Sequence, residues 1–447
     1  MERKQQEWTS RFGFILSSAG AAIGLGAIWR LPYVTGTSGG GAFFLLFVVF
    51  TLLIGLPMLV AEFIIGRGTG LEAVSAYKKI APKSLWVWIG RLGVLGSFLL
   101  LSFYSVVGGW VLIYAGKSIG NQIIGVNTEY DALFGSVVGS PLVTITGLLL
   151  FTIINVLVIS LGIQNGIERM NKYMMPLLFL FFIIIVIRAL TLEGAMEGVQ
   201  FFLAPDFSSI DGEAILYALG QSFFSLAVGF SAMVTYSSYL DKKVSITTSA
   251  TWVVSMNIFV SLLAGLAIFP VVFAFGLAPD HGPSLLFIVL PEAFAQMPLG
   301  SLFLSLFLIL FLFATLTSSF SLYEVIVAAF TKNSKMSREA VSLILGVVLF
   351  IIAIPAALSS SLLADFTIFG LSVFDATDYF VSNILLPLGA FMIALFIIHK
   401  MDKSLVKSEF TLGSNLSPVI YSIWRFLMTI VLPFVILFVY LNLLGII

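Results

Sequence analysis

Long, nearly unbroken apolar runs alternate with short polar joints along the whole chain, without the every-second-residue alternation expected of barrel strands. A helix that crosses a bilayer needs about 20 predominantly apolar residues. Such runs lie near 12–36, 41–66, 87–117, 142–161, 166–190, 213–239, 246–276, 298–330, 340–358, 366–398 and 418–445. They predict an all-α integral membrane protein with eleven transmembrane helices. The first run follows Arg3, Lys4 and Glu7 and has no small-residue cleavage site near its end, so it is expected to be retained.

Composition removes the alternatives. Apolar residues make up 60% of the 447 and charged residues 10%, where a soluble domain carries about a quarter. Forty-three Phe and a mean hydropathy of +1.11 cannot be hidden in a water-soluble core. Ordinary soluble enzymes and nucleic-acid binders are excluded, and the lipid bilayer is the expected surrounding. The absence of Cys excludes disulfides, thiolate metal sites and Cys nucleophiles. With only His281 and His399, a His-based metal site would need distant carboxylates.

The net charge of zero conceals an asymmetry. Of the 22 Lys and Arg, only Arg30, Lys117 and Arg188 fall toward one side of the predicted spans, and the other nineteen fall toward the opposite side. Cytoplasmic loops carry the excess of cations. This predicts a plasma-membrane protein with a cytoplasmic N-terminus and, after eleven spans, an extracellular C-terminus. The outer loops are acidic instead, with Glu129, Asp131, Glu193, Glu197, Asp206, Asp211, Glu213 and Asp280. Loops near 118–141, 191–212 and 277–297 are the sizeable outer polar stretches, and none is long enough for an independent domain.

Two spans are interrupted. In the first, Gly20, Gly24 and Gly26 crowd the helix middle, and Arg30 and Pro32 follow. Glycines at this spacing also suit a close helix-packing seam. Arg30 tips the reading toward a broken helix beside a polar cavity, because a charge at membrane depth costs about 2.5–3.5 kcal/mol. About 200 residues later, Gly220 to Met233 again place glycines and serines inside an apolar helix, and paired interruptions in two halves indicate inverted repeats around a midplane site. Five spans per half is an odd number, so the second half enters from the opposite face. The expected organisation is a cytoplasmic segment at 1–10, a first five-helix repeat at 11–190, an extracellular loop at 191–211, a second inverted five-helix repeat at 212–399, and a cytoplasmic loop with an eleventh helix at 400–447. Spans 1 and 6 are the unwound helices of this 5+5 fold. Freed carbonyls would serve cations and half-helix N–H groups an anion.

On these residues the chain resembles the neurotransmitter:sodium symporter family, in its bacterial amino-acid-transporting branch. The motifs are Gly20 to Pro32, Gly39-Gly40-Gly41-Ala42-Phe43, Gly66-Arg67, Gly220 to Tyr236 and Ala314 to Ser319. The resemblance implies two sodium ions as cofactors. One would be held by carbonyls of Gly20, Ile23 and Ala314 with the hydroxyls of Thr317 and Ser318. The other would be held by Ala22, Ser225 and Asn257 with the substrate carboxylate. Ala27 stands where relatives commonly place a ligand Asn. Neutral oxygen donors suit a hard monovalent cation, although Thr and Ser hydroxyls also bond back to their own helix.

The resemblance further implies a carboxylate clamp from the N–H groups of Leu25 and Gly26 with the Tyr104 hydroxyl. The amine would face carbonyls of Ala22, Phe224 and Ser225, near Ala227. The side chain would sit among Leu100, Tyr104, Phe224, Phe230, Ser318 and Leu322. An uncharged pocket leaves ionic side chains desolvated, so the expected partner is a neutral hydrophobic L-amino acid, aliphatic or aromatic. Gly24 stands where amine-transporting relatives carry an Asp, so the substrate is expected to bring its own carboxylate. Arg30 with Asp365 would form an outer gate above an aromatic lid of Tyr104 and Phe230. The inner-gate positions, Gln5 and Lys332, depart from the family pattern. Gly166 and Pro176 would let the inner turn of span 5 unwind, although a static proline kink is the plainer alternative. For chloride the set is incomplete: Gln221, Ser225 and Ser261 are present, but Phe47 replaces a tyrosine. The other acids at membrane depth, Glu62, Glu324, Asp375 and Asp378, are expected to be mostly structural.

The implied function is sodium-coupled import by alternating access, with a monomer sufficient and no covalent chemistry. An uncoupled facilitator or receptor is the alternative. An intramembrane serine hydrolase lacks a base at membrane depth, since His399 lies at a helix end and His281 outside.

Overall fold

The computed structural model describes residues 7–125, 128–279, 282–332, 334–414, 416–443 and 445–446. Arg3, Lys4, Gln5, Asp280 and His281 lie outside the described residues. The chain is a helical bundle. Its first span is a bent pair, α1 (Arg11–Ala22) and α2 (Gly26–Thr37), meeting at 50°. Long helices follow as α3 (Gly41–Thr69), α4 (Val87–Ile119), α5 (Pro141–Ser160) and α6 (Ile163–Leu190). The next span is again divided, into α7 (Gly212–Ser225) and α8 (Ala232–Ser237). Then come α9 (Ile246–Ala274), α10 (Gly300–Lys332), α11 (Arg338–Ala357), α12 (Val373–His399) and α13 (Pro418–Asn442).

Among the described residues, nine helices are long and apolar enough to cross a membrane, and ten spans result when the bent pair is taken as one. The expected count was eleven. The difference is the run at 213–239, because neither α7 nor α8 is long enough to cross alone. Six residues, Leu226 to Ser231, separate them, with Ala227, Gly229 and Ser231 all at positive φ. A second difference concerns the run at 366–398. Its first residues form a short antiparallel hairpin, Thr367–Ile368 with Leu371–Ser372, so the helix starts at Val373.

The 33-residue helices α4 and α10 pack against each other through the centre of the bundle. At 1.5 Å per residue each is about 50 Å long, longer than a hydrocarbon layer of about 30 Å. Outward faces stay apolar, with Leu149, Leu150, Ile153 and Leu157 on α5 and Phe434, Leu437 and Phe438 on α13 all exposed. That arrangement suits a lipid solvent, where backbone polar groups must be satisfied within each helix. Three of the longer loops carry the short helices Tyr130–Val138, Ala195–Leu203 and Val289–Ala295.

The cation-rich end of the bundle is knitted shut. Trp8 packs edge-on to Phe14 and Tyr236 and donates from Nε1 to the Tyr236 carbonyl at 2.8 Å. Glu168, at the foot of α6, accepts from Thr9 N at 2.8 Å and pairs with Lys172 at 2.8 Å. Arg338 pairs with buried Glu324, which also accepts from the Tyr239 hydroxyl at 2.9 Å. Arg67 and Lys242 converge on buried Glu409 at 2.6 and 3.3 Å.

Candidate functional site

Gly20 to Gly26 and Phe224 to Phe230, the two interruptions, face each other at mid-bundle, and α4 and α10 close the space between them. The cavity there is lined by Ala21, Ala22, Gly24, Leu25, Gly26, Leu100, Tyr104, Phe224, Ala227, Phe230, Ser318, Leu322 and Leu386. No charged side chain lines it. Every residue assigned to the substrate from sequence is in this lining except Ser225, which lies just behind it. Ala21 and Leu386 were missed. Leu386 belongs to α12, whose approach to the break is set by packing and leaves no motif in sequence.

The break in α1 follows from Ile23, whose φ of −89° and ψ of 82° leave the helical region. Leu25 N–H donates to the Tyr104 hydroxyl at 3.3 Å, and Ser318 Oγ donates to the Ala21 carbonyl at 3.0 Å. Gly24 is required by close approach: a Cβ there would lie 2.6 Å from Ser318 Oγ and 2.8 Å from the Tyr104 oxygen. The cavity holds about 20 Å³, room for little more than a water. An amino-acid side chain would require Leu100, Phe224, Phe230 or Leu322 to shift outward.

Ala22, Ser225 and Asn257 are directly joined. Asn257 Nδ2 donates to the carbonyls of Ala22 and Ser225 at 3.2 and 3.0 Å, and Ser225 Oγ donates to Asn257 Oδ1 at 3.2 Å. Two backbone carbonyls, a hydroxyl and an amide oxygen within one small shell make a neutral oxygen set that fits a hard cation. Rotating the amide brings Oδ1 to the carbonyls' side. At the second set, Thr317 Oγ1 donates to the Ala314 carbonyl at 3.0 Å. Thr317 also abuts Gly20, where an added Cβ would meet Thr317 Cβ at 3.0 Å. The back-bonded hydroxyl and the interhelix contact occur together here. Ser318 Oγ of the same set is turned to the Ala21 carbonyl of α1, and neutral hydroxyl and carbonyl oxygens of this kind suit a hard cation.

At the Arg30 end of the cavity the structure corrects two assignments. Asp365 is exposed in the turn before the hairpin, eight positions before α12 begins, and among the described residues it forms no ion pair with Arg30. Arg30 instead lies over the Phe224 ring, 4.8 Å from its centroid. Arg30 and Asp378 of α12 both act electrostatically on the hydroxyl of Tyr33. Phe230 is not on Arg30's side of the cavity. Its ring packs on Gly96, displaced from Tyr104 toward the cation-rich start of α4, so the aromatic beneath Arg30 is Phe224. Both errors share a cause: an acid at the head of a predicted run and an aromatic near a break were chosen without knowing where the helix begins or which way the break turns. Above this layer, Trp29, Trp110, Phe134, Phe374 and Asp375 line a separate vestibule of about 280 Å³.

Gly166 and Pro176 both lie in α6, Gly166 in a π-type first turn (Ile163–Glu168) and Pro176 within the regular helix. This segment is wound here. Of the chloride positions, Gln221 Nε2 donates to the Gly26 carbonyl at 2.6 Å and Ser225 to Asn257. Buried Ser261 Oγ has no hydrogen-bond partner among the described residues, and Phe47 is fully buried.

The closing set at the cation-rich end (Glu168, Glu324, Arg338 and Glu409) was not assigned from sequence as a gate. Its one legible signal is that Glu324 and Arg338 are only fourteen positions apart across a helix turn.

Fold and site together define a multi-pass helical membrane protein with a buried cavity between two broken helices. The model of the sodium:neurotransmitter symporter family matches residues 5–128 and 136–445. The chain belongs to that family, a family of sodium-coupled transporters. It is 51% identical over 446 residues to the uncharacterised sodium-dependent transporter YhdH of Bacillus subtilis, covering 100% of this chain and 99% of the relative. It is 28% identical over 433 residues to the sodium- and chloride-dependent GABA transporter 2 of Rattus norvegicus, covering 85% and 70%. Among solved structures it is similar to the crystal structure of MhsT in complex with L-phenylalanine, at 39% identity and a TM-score of 0.92, covering 98% and 100% of the two chains.

Proposed function

We propose that the protein is a sodium-driven symporter that imports neutral hydrophobic L-amino acids by alternating access. The observation that carries the reading is the uncharged cavity between the two helix breaks, with a backbone N–H and a tyrosine hydroxyl at one side and aliphatic and aromatic walls at the other. Such a cavity takes a carboxylate at the N–H groups and an apolar side chain at the walls, and it offers ionic side chains no compensation. Two neutral oxygen sets beside it, one around Ala22, Ser225 and Asn257 and one around Gly20, Ile23, Ala314, Thr317 and Ser318, support two sodium ions. The phenylalanine complex of the similar structure supports the substrate class.

In this reading α7 and α8 count as one broken span, which restores eleven spans in two inverted repeats, 11–190 and 212–399. The N-terminus is cytoplasmic and the C-terminus extracellular, in a plasma membrane. The outer gate is Arg30 above Phe224 and Tyr104, with Asp378 as the nearby acid. Release inward would loosen α6 between Gly166 and Pro176. Preferring sodium plus substrate in one conformation over the other supplies the coupling.

Uptake of labelled leucine and phenylalanine into proteoliposomes tests this. Accumulation above equilibrium under an inward sodium gradient, abolished by a sodium ionophore, is expected. Equal filling with and without sodium would identify an uncoupled facilitator.

A further inference from the structure

A groove unrelated to the transport site opens on the outer surface between α4, α10 and α11. Its cavity volume is about 600 Å³, within the size range of small-molecule sites. Leu95, Phe98, Ile326, Phe330, Val348 and Ile352 form its walls, and the one charged residue lining it is Arg91. Leu95, Phe330, Val348 and Ile352 are exposed large hydrophobics. Along α11 the lining runs from Leu345 to Ile352, about 10 Å at 1.5 Å per residue.

Charge decides what covers it. Arg91 sits one turn into α4 at the cation-rich end, where a bilayer's polar layer would meet the bundle. Its guanidinium lies 4.7 Å from the centroid of the half-exposed Trp88 ring, an aromatic of the kind that settles at membrane interfaces. Among the described residues Arg91 forms no ion pair. Val74 also lines the groove, and the short helix that carries it, Ala73–Ile80, packs on α4 and ends in the exposed Lys78 and Lys79. Glu72, the N-cap of that short helix, is buried and already accepts from the N–H groups of Val74 and Ser75 at 2.7 and 2.9 Å. The rim is therefore cationic, and the groove below it apolar.

We propose that this groove is a binding site for one anionic phospholipid, with its phosphate at Arg91 and an acyl chain between α10 and α11. A basic rim above an apolar cleft between membrane helices matches the two chemistries of such a lipid. A zwitterionic lipid offers the same chain but no net charge to the rim.

Native mass spectrometry of the full-length chain, equilibrated with equal phosphatidylglycerol and phosphatidylcholine of identical acyl chains, tests the site. One retained phosphatidylglycerol is expected, favoured several-fold over phosphatidylcholine. Arg91→Ala should reduce that preference about fivefold, and Arg91→Lys should keep most of it. Leu95→Trp with Val348→Trp fills the groove and should lower retention of both lipids. All these positions are exposed, and unfolding temperature in lipid-free detergent checks that the variants fold. Equal retention of the two lipids by the parent chain would overturn the proposal. So would a preference unchanged in both Arg91→Ala and the double Trp variant. Dimers that the Trp pair disrupts would show a second copy as occupant and also overturn it.

Discussion

The two helix breaks meet the same problem, freed backbone groups inside a membrane, and solve it differently. Between α1 and α2 the chain leaves the helix for two residues, Ile23 and Gly24, without any residue at positive φ. Its groups are met by neutral side chains from four other helices: Tyr104 of α4, Gln221 of α7, Asn257 of α9 and Ser318 of α10. Between α7 and α8 the chain turns through three positive-φ residues. There one buried carboxyl group, that of Glu62 in α3, accepts from Gly229 N at 2.7 Å and Met233 N at 3.1 Å, and the Tyr77 and Ser231 hydroxyls lie 2.9 Å apart. A single acidic side chain, bonded to the turn at Gly229 and to the start of α8 at Met233, fixes the second break. Neutral hydrogen bonds, which an ion or a carboxylate can replace at little cost, hold the first. The first break is built to exchange partners, and the second to stay as it is.

The largest expected effect breaks the fixed side. Glu62→Ala leaves two buried N–H groups without an acceptor and should destabilise the fold by roughly 2–6 kcal/mol, at about 1–3 kcal/mol for each. Chemical denaturation in detergent measures it, and a loss under about 1 kcal/mol would mean that the turn is held by something else. Next comes the turn itself. Gly229 has φ +107°, and a Cβ there would lie 2.7 Å from the Leu386 carbonyl oxygen. Gly229→Ala should cost about 1–3 kcal/mol. Ala227→Gly, at φ 51°, should be neutral or stabilise by a few tenths of a kcal/mol, because glycine suits the left-handed region. Equal destabilisation by both substitutions would show that packing, not backbone strain, governs the turn.

How far the chain could be read in advance follows the same division. Apolar runs and the cation asymmetry reveal membrane helices because lipid imposes length and composition directly on the sequence. Both breaks were legible, since glycines and serines crowded into the middle of an apolar run weaken the helix at that depth. Three pieces were not. The hairpin before α12 is apolar, with Phe366, Ile368, Phe369 and Leu371, and so looks like helix by hydropathy; this displaced the gate acid to Asp365. The direction of the second break depends on three φ angles, two of them at non-glycine residues, and this displaced the lid to Phe230. The closing ion pairs at the cation-rich end join residues up to 342 positions apart, and only the folded bundle brings Arg67 to Glu409.

The smaller predictions act on the exchangeable break and are read in binding. Gly24→Ala puts a methyl group against Ser318 and Tyr104 and should raise the amino-acid concentration for half-maximal binding about tenfold, equivalent to about 1.4 kcal/mol. Tyr104→Phe removes only the hydroxyl that meets Leu25 N–H, and a single neutral hydrogen bond contributes about 1 kcal/mol. Its expected effect is a loss of roughly fivefold for hydrophobic amino acids, with little change for the matching amines, which have no carboxylate to clamp. Scintillation proximity binding with labelled leucine, competed by leucine and by isoamylamine, separates the two. If Tyr104→Phe weakened both competitors alike, the tyrosine would be acting as a wall of the cavity, and the neutral, exchangeable character assigned to the first break would lose its simplest support.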